Sequence, residues 1–478
     1  MFEVLQLVRS MKNSLAPINK LPPEVLSLIP DHYREDRTDR DLIASTHVCR
    51  RWRDIFTSNS SLWTQFDLTN INKTRTYIQR SRCSSLKFYF GRSKVIDEVF
   101  TLITPHICRS KSLTIDARVL PIFLRNLRHP MPLLEKLDIK CLGDQVLDNT
   151  LFHRDLSSLR ELRLHGVITH FPWTNLSNLR VVDLRLHFHS YGTTKILDFF
   201  VSAPLLHTVS LRYSIPVSSD FPPKRIVPLY HLKAFSIITN SSPSTFLHHL
   251  HIPAGASVIL EFPSNGSKSP FPDYLPKRCP NSDHIYHITA INLFFNSTGT
   301  SLRLSGPNGN LRLLNSWRFD PREAAGPIFR SLLPVIVTIE RLTIFGYKPQ
   351  EPTKIENCPI FQTLLSANHL RTLILADCAS SQLARVLDPS QNPAGLVLCH
   401  NMEKLVFYAK SLSLLSVASL IKMAKNRASR GAKLSSITIV EPGGPVPRVF
   451  ELRKYVTRMD HRIDDAWPAW DDVPGDKW

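Results

Sequence analysis

Residues 134–139, 159–164, 179–184 and 206–211 read Leu134-Glu-Lys-Leu137-Asp-Ile139, Leu159-Arg-Glu-Leu162-Arg-Leu164, Leu179-Arg-Val-Val182-Asp-Leu184 and Leu206-His-Thr-Val209-Ser-Leu211. The same apolar-x-x-apolar-x-apolar frame precedes them at Cys83-Ser-Ser-Leu86-Lys-Phe88, shrinks to Leu113 and Ile115, and follows at Leu232-Lys-Ala-Phe235-Ser-Ile237. Its middle anchors fall at 86, 113, 137, 162, 182, 209 and 235, with gaps of 20 to 27 residues. Apolar residues one apart, with a polar residue between, describe a short strand buried on one face. A unit of this length cannot bury its apolar side alone, so successive units must stack on one another.

Frame and period resemble leucine-rich repeats, whose units run to roughly 20–29 residues. The resemblance implies an α/β architecture, a curved solenoid over 67–440. The Asn or Cys ladder residue of that family is mostly missing, so the repeats are degenerate. Between 241 and 335 the frame blurs into Ser/Pro/Gly clusters (Ser241-Ser-Pro-Ser, Pro263 to Pro276, Gly306-Pro-Asn-Gly), with strand-like pieces at Ile291–Phe295 and Leu302–Leu304. Anchors resume at Leu342, Leu373, Leu405 and Ile437, spaced 31, 32 and 32. The longer unit has room for a fuller helix, predicted over Leu412 to Arg430. Its apolar positions are Leu415, Ala418, Leu420 and Ile421. Lys422, Lys425, Arg427 and Arg430 lie toward the negative end of its dipole, and Gly431 is suited to a left-handed cap. The segment 441–478 pairs a helix-like PRVFELRKYVTRM with an acidic, Trp-containing end. It either caps the last repeat or forms a free peptide.

Ahead of the repeats, residues 18–63 read INKLPPEVLSLIPDHYREDRTDRDLIASTHVCRRWRDIFTSNSSLW. Proline is tolerated in a first helical turn, and Glu24 then sits near the positive end of the dipole. Leu21, Val25, Leu28 and Ile29 give one short apolar face. After a charged connection, a second helical run carries Leu42, Ile43, Val48, Cys49, Trp52, Ile55 and Phe56 at helical spacing, and Leu62-Trp63 closes the unit. So few residues bury this apolar surface poorly on their own.

The pieces Leu21-Pro22-Pro23-Glu24, Val48-Cys49-Arg50-Arg51-Trp52 and Leu62-Trp63 resemble, in order and spacing, the F-box family. The stretch Asp31 to Arg40 is longer than the family's usual link. The resemblance implies a three-helix module over 18–66 that docks on the Skp-type adaptor of an SCF ubiquitin ligase, and through it on a cullin-RING core. It implies adaptor contacts among Leu21, Pro22, Glu24, Leu28, Ile29, Val48, Cys49, Trp52 and Trp63, with Trp52 the first candidate for a core position instead. Helix-in-groove docking through apolar anchors fits those residue types. Residues 1–17 read as a short amphipathic helix, with Phe2, Leu5 and Val8 or Met11 on one face. Glu3 and Arg9 interrupt any signal-peptide core.

The chain of 478 residues carries 59 Lys and Arg against 40 Asp and Glu, a net charge of +19. The excess is spread out: 21 basic to 12 acidic over 1–130, 12 to 9 over 131–240, 20 to 11 over 241–440, and 6 to 8 over 441–478. A polybasic arm is therefore excluded, and nucleic acid is not the favoured partner. The eight cysteines are nowhere closer than 20 residues, which points to an intracellular protein, cytoplasmic or nuclear, without a zinc ribbon. No apolar run reaches the ~18 residues of a membrane span. His248, His249 and His251 lack a nearby carboxylate or cysteine, so no metal, cofactor or catalytic residue is assigned. No phosphate-loop, dinucleotide, GxSxG or HExxH motif occurs.

In the repeat register, Lys140, His165, Arg185 and Arg212 fall in one column, beside Asp138, Arg163, Asp183 and Ser210. At ~4.8 Å between strands, the first column reads as a positive strip able to hold an acidic or phosphorylated protein ligand. The function expected is substrate recognition for an SCF-type ligase, without bond chemistry of its own. The rivals are a non-degradative interaction scaffold and, less favoured, a nucleic-acid-associated protein.

Overall fold

The computed structural model describes residues 2–32, 40–91, 96–116, 129–147, 156–169, 176–185, 193–212, 225–239, 244–262 except 254, 289–315 except 297–298 and 307–308, 326–348 except 327, 330–331 and 334–335, 358–408 except 393–394, 414–441 and 448–463. The chain divides into two compact units, Met1–Ser214 with Asp220–Pro222, and Ile215–Ser219 with Pro223–Trp478.

In the first unit, helix Phe2–Leu15 and a 3-10 turn, Pro17–Lys20, lead into helices Pro23–His32, Arg40–Thr46 and Arg50–Ser58 and a second 3-10 turn, Ser60–Trp63. The second helical run of the sequence reading is thus two helices. Cys49, with φ −158° and ψ 171°, is the extended N-cap of Arg50–Ser58, so Val48 and Cys49 lie in the turn between helices.

Among the described residues seven strands follow: β1 Gln65–Asp67, β2 Leu86–Phe90, β3 Ser110–Asp116, β4 Lys136–Leu147, β5 Glu161–Thr169, β6 Val181–Arg185 and β7 Thr208–Arg212. Each pairs in parallel with the next. Leu113, Leu137, Leu162, Val182 and Val209 stand side by side across β3–β7, each at most 1% exposed. Every strand buries the same register position, which is why the period is visible in the sequence. The first anchor differs. A shift between Leu86 and Lys87 sets Phe88, not Leu86, beside Leu113. The pairing skips Lys111 of β3, and Phe88 takes the place expected of Leu86, two residues along, so Leu86, Phe88 and Phe90 all stay on the buried side. The larger rings gain partners by it: Phe88 lies 5.8 Å from Phe66, and Phe90 stacks on Phe100 at 5.1 Å.

The second unit carries β8 Ala234–Ile238, β9 Ser257–Phe262, β10 Ala290–Asn296, β11 Gly299–Gly306, β12 Gly309–Asn315, β13 Arg341–Phe345, β14 Thr372–Ala376, β15 Lys404–Tyr408, β16 Ser436–Glu441 and β17 Arg458–Ile463. Leu342, Leu373, Leu405 and Ile437 pair in register, and Met459 extends the row. The blurred stretch hides an antiparallel meander, β10–β11–β12, whose outer strands pair in parallel with β13 and β9 respectively. The first and third strands of a meander run the same way, so the insertion preserves the direction of its neighbours. The helix predicted over 412–430 runs Leu414–Ser429 and is followed by Gly431 at φ +77°. It buries Val417, Leu420, Met423 and Ala424, and also Arg427; Ala418 is exposed. The segment after 447 is a 3-10 turn, Val449–Lys454, and β17 rather than one helix. The acidic, Trp-containing end lies outside the described residues.

Gly346, at φ +71°, closes β13 and donates its N–H to the Ala376 carbonyl at 2.8 Å. A Cβ there would collide with the Phe295 carbonyl oxygen. Gly346→Ala combines that clash with a left-handed backbone, and the expected loss is about 2 kcal/mol or more. Chemical denaturation measures it; an unchanged midpoint would refute the close approach.

Candidate functional site

The helical region before β1 has an inside and an outside that the sequence does not separate. Leu26, Leu42, Trp52, Phe56, Leu62 and Trp63 are buried. The Trp52 indole N–H donates to Asn19 Oδ1 at 2.6 Å and that of Trp63 to the Phe56 carbonyl at 2.7 Å. Buried indoles need such acceptors. Trp52 meets Phe56 edge-on at 5.3 Å, and Trp63 meets Tyr77 of helix Ile71–Ser81 at 4.9 Å. The core of the short helices therefore continues into the strand region, which is how so small a helical set buries two tryptophans. Trp63, expected among adaptor contacts, is a core residue at 1% exposure, and Trp52 is too.

The remaining expected contacts lie outward. Leu21, Val25, Leu28, Ile43 and Val48 are exposed apolar residues, Leu28 at 62% and Val48 at 56%. Pro22 and Glu24 are exposed; Ile29 and Cys49 are half-buried. Buried Leu26 turns Val25 and Leu28 outward on the same helix. Arg51 donates to the Leu21 carbonyl at 3.0 Å and Arg53 to the Thr46 carbonyl at 3.1 Å, tying the arm before the first helix and the turn before the third to Arg50–Ser58. Helix Phe2–Leu15 adds exposed Val4, Val8, Met11 and Leu15 at helical spacing.

A family model described as F-box-like matches residues 18–69. The chain carries an F-box-like domain there. No curated protein matches the chain.

The second candidate surface is the polar face of β1–β7. Between the buried anchors, β3–β7 present three rows: Ser112, Lys136, Glu161, Val181 and Thr208; Thr114, Asp138, Arg163, Asp183 and Ser210; and Asp116, Lys140, His165, Arg185 and Arg212. The column Lys140, His165, Arg185 and Arg212 expected from the register is brought together. It is not a continuous positive strip, because the middle row neutralises most of it. Lys140 Nζ lies 3.5 Å from Asp138, His165 Nε2 lies 3.0 Å from Asp183, and Arg185 Nε lies 3.5 Å from the same carboxylate. Of the four, Arg212 has no carboxylate at ion-pairing distance among the described residues.

A cleft of about 620 Å³ opens over β1–β5, lined by Asp67, Lys87, Lys111, Glu135, Lys136, Arg160 and Glu161 among others. Its acids are matched: Asp67 with Lys73, Glu135 with Lys111 at 3.3 Å, and Glu161 with Lys136 at 2.9 Å and Arg163 at 2.6 Å. Arg160 belongs to an edge row, with Arg180 on the next rung, whose N–H donates to the Arg160 carbonyl at 2.8 Å. The sequence reading missed this row. Its signal was the second position of the repeat frame, which reads Glu135, Arg160, Arg180, His207. His249 Nδ1 lies 2.8 Å from the Arg225 carbonyl oxygen, and among the described residues no group of three His, Cys, Asp or Glu is placed to hold a metal.

Burial pushes the Asp183 carboxyl up, but the hydrogen bond and charge of His165, with Arg185, outweigh it and hold the pKa below the ordinary carboxylate value. A depressed folded pKa contributes stability that is present above the unfolded value near ~3.9 and lost as pH falls through the folded one. Acid unfolding of Asp183→Asn should therefore be less steep below about pH 4 than that of the parent. Denaturation midpoints read across that range test it, and identical slopes would refute the coupling.

Proposed function

We propose that the chain is the substrate-recognition subunit of an SCF-type ubiquitin ligase, with the F-box-like domain docking on a Skp-type adaptor and the stacked strands, read as degenerate leucine-rich repeats in a solenoid, holding a protein ligand. It does no bond chemistry itself. It holds a target beside the ligase's catalytic subunits and so raises effective concentration. The observation that carries the reading is the outward set Leu21, Val25, Leu28, Ile43 and Val48 in a matched F-box-like segment. Exposed apolar residues on short helices and the turns beside them need a partner, and the strand region already covers the other side through Trp63 and Tyr77. Parallel strands paired side by side, with one polar face, suit the ligand-holding part. Co-purification of the intact chain with a Skp-type adaptor tests the proposal, and failure to capture it would remove the ligase reading in favour of a free-standing scaffold.

A further inference from the structure

Three observations on the polar face of β4–β7 converge. At its leading edge, Arg160 and Arg180 are exposed on neighbouring rungs, and no carboxylate pairs with either among the described residues. At its trailing edge, Arg185 and Arg212 are exposed and paired in register. Arg212 has no ionic partner among the described residues, and Arg185 has one contact to Asp183, through Nε at 3.5 Å. Between the edges, three consecutive rungs of the middle row hold buried polar atoms with no hydrogen-bond partner among the described residues: Asp138 Oδ1, Arg163 Nε and Asp183 Oδ1, the last of which has the 3.5 Å ionic contact to Arg185 but no hydrogen bond. Asp138 is 3% exposed, and its contact to Lys140, at 3.5 Å, is long for a charge-assisted hydrogen bond. Unpaired buried acceptors and donors are costly and call for a partner.

We propose that this face binds an extended acidic segment of a protein, running along the strand direction, with one carboxylate group on each arginine pair and its backbone amides over the middle row. The proposal rests on the reading of the strand region as the ligand-holding part. The geometry sets the spacing. Arg180 and Arg185 bracket β6 and are five residues apart, so the two cationic edges are separated by roughly 16 Å at ~3.3 Å per residue. An extended ligand spans that distance with about five residues of its own. An acidic segment crossing the strands instead would meet Glu135 in the leading row and Asp116 in the trailing one. The middle row also separates a peptide from a nucleic acid. Asp138 and Asp183 repel a phosphate backbone, whereas peptide N–H groups satisfy both.

The test is fluorescence anisotropy of the full chain with synthetic peptides carrying two Glu-Glu pairs at separations stepped from two to eight residues. A spacing near five should bind tightest, by on the order of tenfold over the extremes. Reversing either arginine pair (Arg160→Glu with Arg180→Glu, or Arg185→Glu with Arg212→Glu) should abolish the spacing preference. Affinity that tracks total charge regardless of spacing overturns the proposal, as does no binding by any peptide, or tighter binding of a single-stranded oligonucleotide of equal charge. The spacing series uses the unaltered chain, so it stands even where a reversal variant fails to fold. Adaptor capture is measured on the same preparation. A flat spacing series with capture intact overturns this inference alone, while absent capture overturns the ligase reading.

Discussion

Leu28→Asp combined with Val48→Asp is expected to abolish capture of the chain by a Skp-type adaptor while leaving its thermal unfolding nearly unchanged. Leu28 and Val48 are 62% and 56% exposed, so neither contributes much to the core that Leu26, Trp52, Phe56 and Trp63 build. In a docked complex each would lose most of its exposed apolar surface. Burying a leucine or valine is worth about 1.5–3 kcal/mol, and a carboxylate in the same place adds a desolvation penalty. Together the two changes should cost at least ~4 kcal/mol, about a thousandfold in affinity. Pull-down with the adaptor and a melting curve on the same variant read the two effects separately. Retained capture would mean that the outward residues are not the docking face, and a collapsed melting temperature would mean that they are core after all. Leu21→Ala with Pro22→Ala probes the extended arm that Arg51 holds through the Leu21 carbonyl.

What the sequence revealed and what it concealed divide along a physical line. The anchors of β3–β7 and β13–β16 are legible because each parallel strand buries the same register position, so identity of role produces periodicity. Leu137, Leu162 and Val182 illustrate it, and their pairing follows directly. Strand direction has no such signature. Ile291, Leu293 and Phe295 alternate with polar residues as any half-buried strand does, so alternation cannot tell that β11 runs antiparallel. The register slip at Leu86 is hidden for the same reason, since Leu86, Phe88 and Phe90 are interchangeable to a pattern of period two.

The sites divide similarly. Residue type and order brought out the F-box-like segment, but which of its apolar residues face outward depends on where the helices break. Cys49 ends the extended turn rather than continuing a helix, and that turn exposes Val48. Register alone was enough to set Lys140, His165, Arg185 and Arg212 side by side. The neutralisation of that column by Asp138 and Asp183 depends on side-chain distances of 3.0 to 3.5 Å that spacing alone does not supply. Arg160 and Arg180 passed unnoticed because they precede the strand, where alternation ceases to predict a face.

Arg427 shows how far a sequence rule can mislead, and it carries the largest expected stability effect. A basic residue near a helix C-terminus reads as an exposed complement to the dipole. Instead its side chain is fully buried, with Nη1 donating to the Leu398 carbonyl at 2.7 Å and Nη2 to that of Cys399 at 3.0 Å. Nε has no hydrogen-bond partner among the described residues. Burial lowers the guanidinium pKa, and burial pushes the Cys399 thiol up to about 12. The guanidinium thus acts as a bracket for the turn before β15, where Cys399 adopts φ +49°. Arg427→Ala removes both donors, leaves the buried Leu398 carbonyl without its donor, reduces the Cys399 carbonyl to its bond from the Met402 N–H at 2.9 Å, and opens a cavity. At ~1–3 kcal/mol for the unsatisfied carbonyl, with the lost second bond and a cavity contribution besides, the loss should reach about 4 kcal/mol. Arg427→Met fills the space and relieves the buried charge, so about half of that loss should return, since a buried charge held only by carbonyls is itself expensive. Urea denaturation of the two variants decides between bracket and filler. If methionine restores full stability the hydrogen bonds are dispensable, and if it is as damaging as alanine the turn depends on the two donors alone.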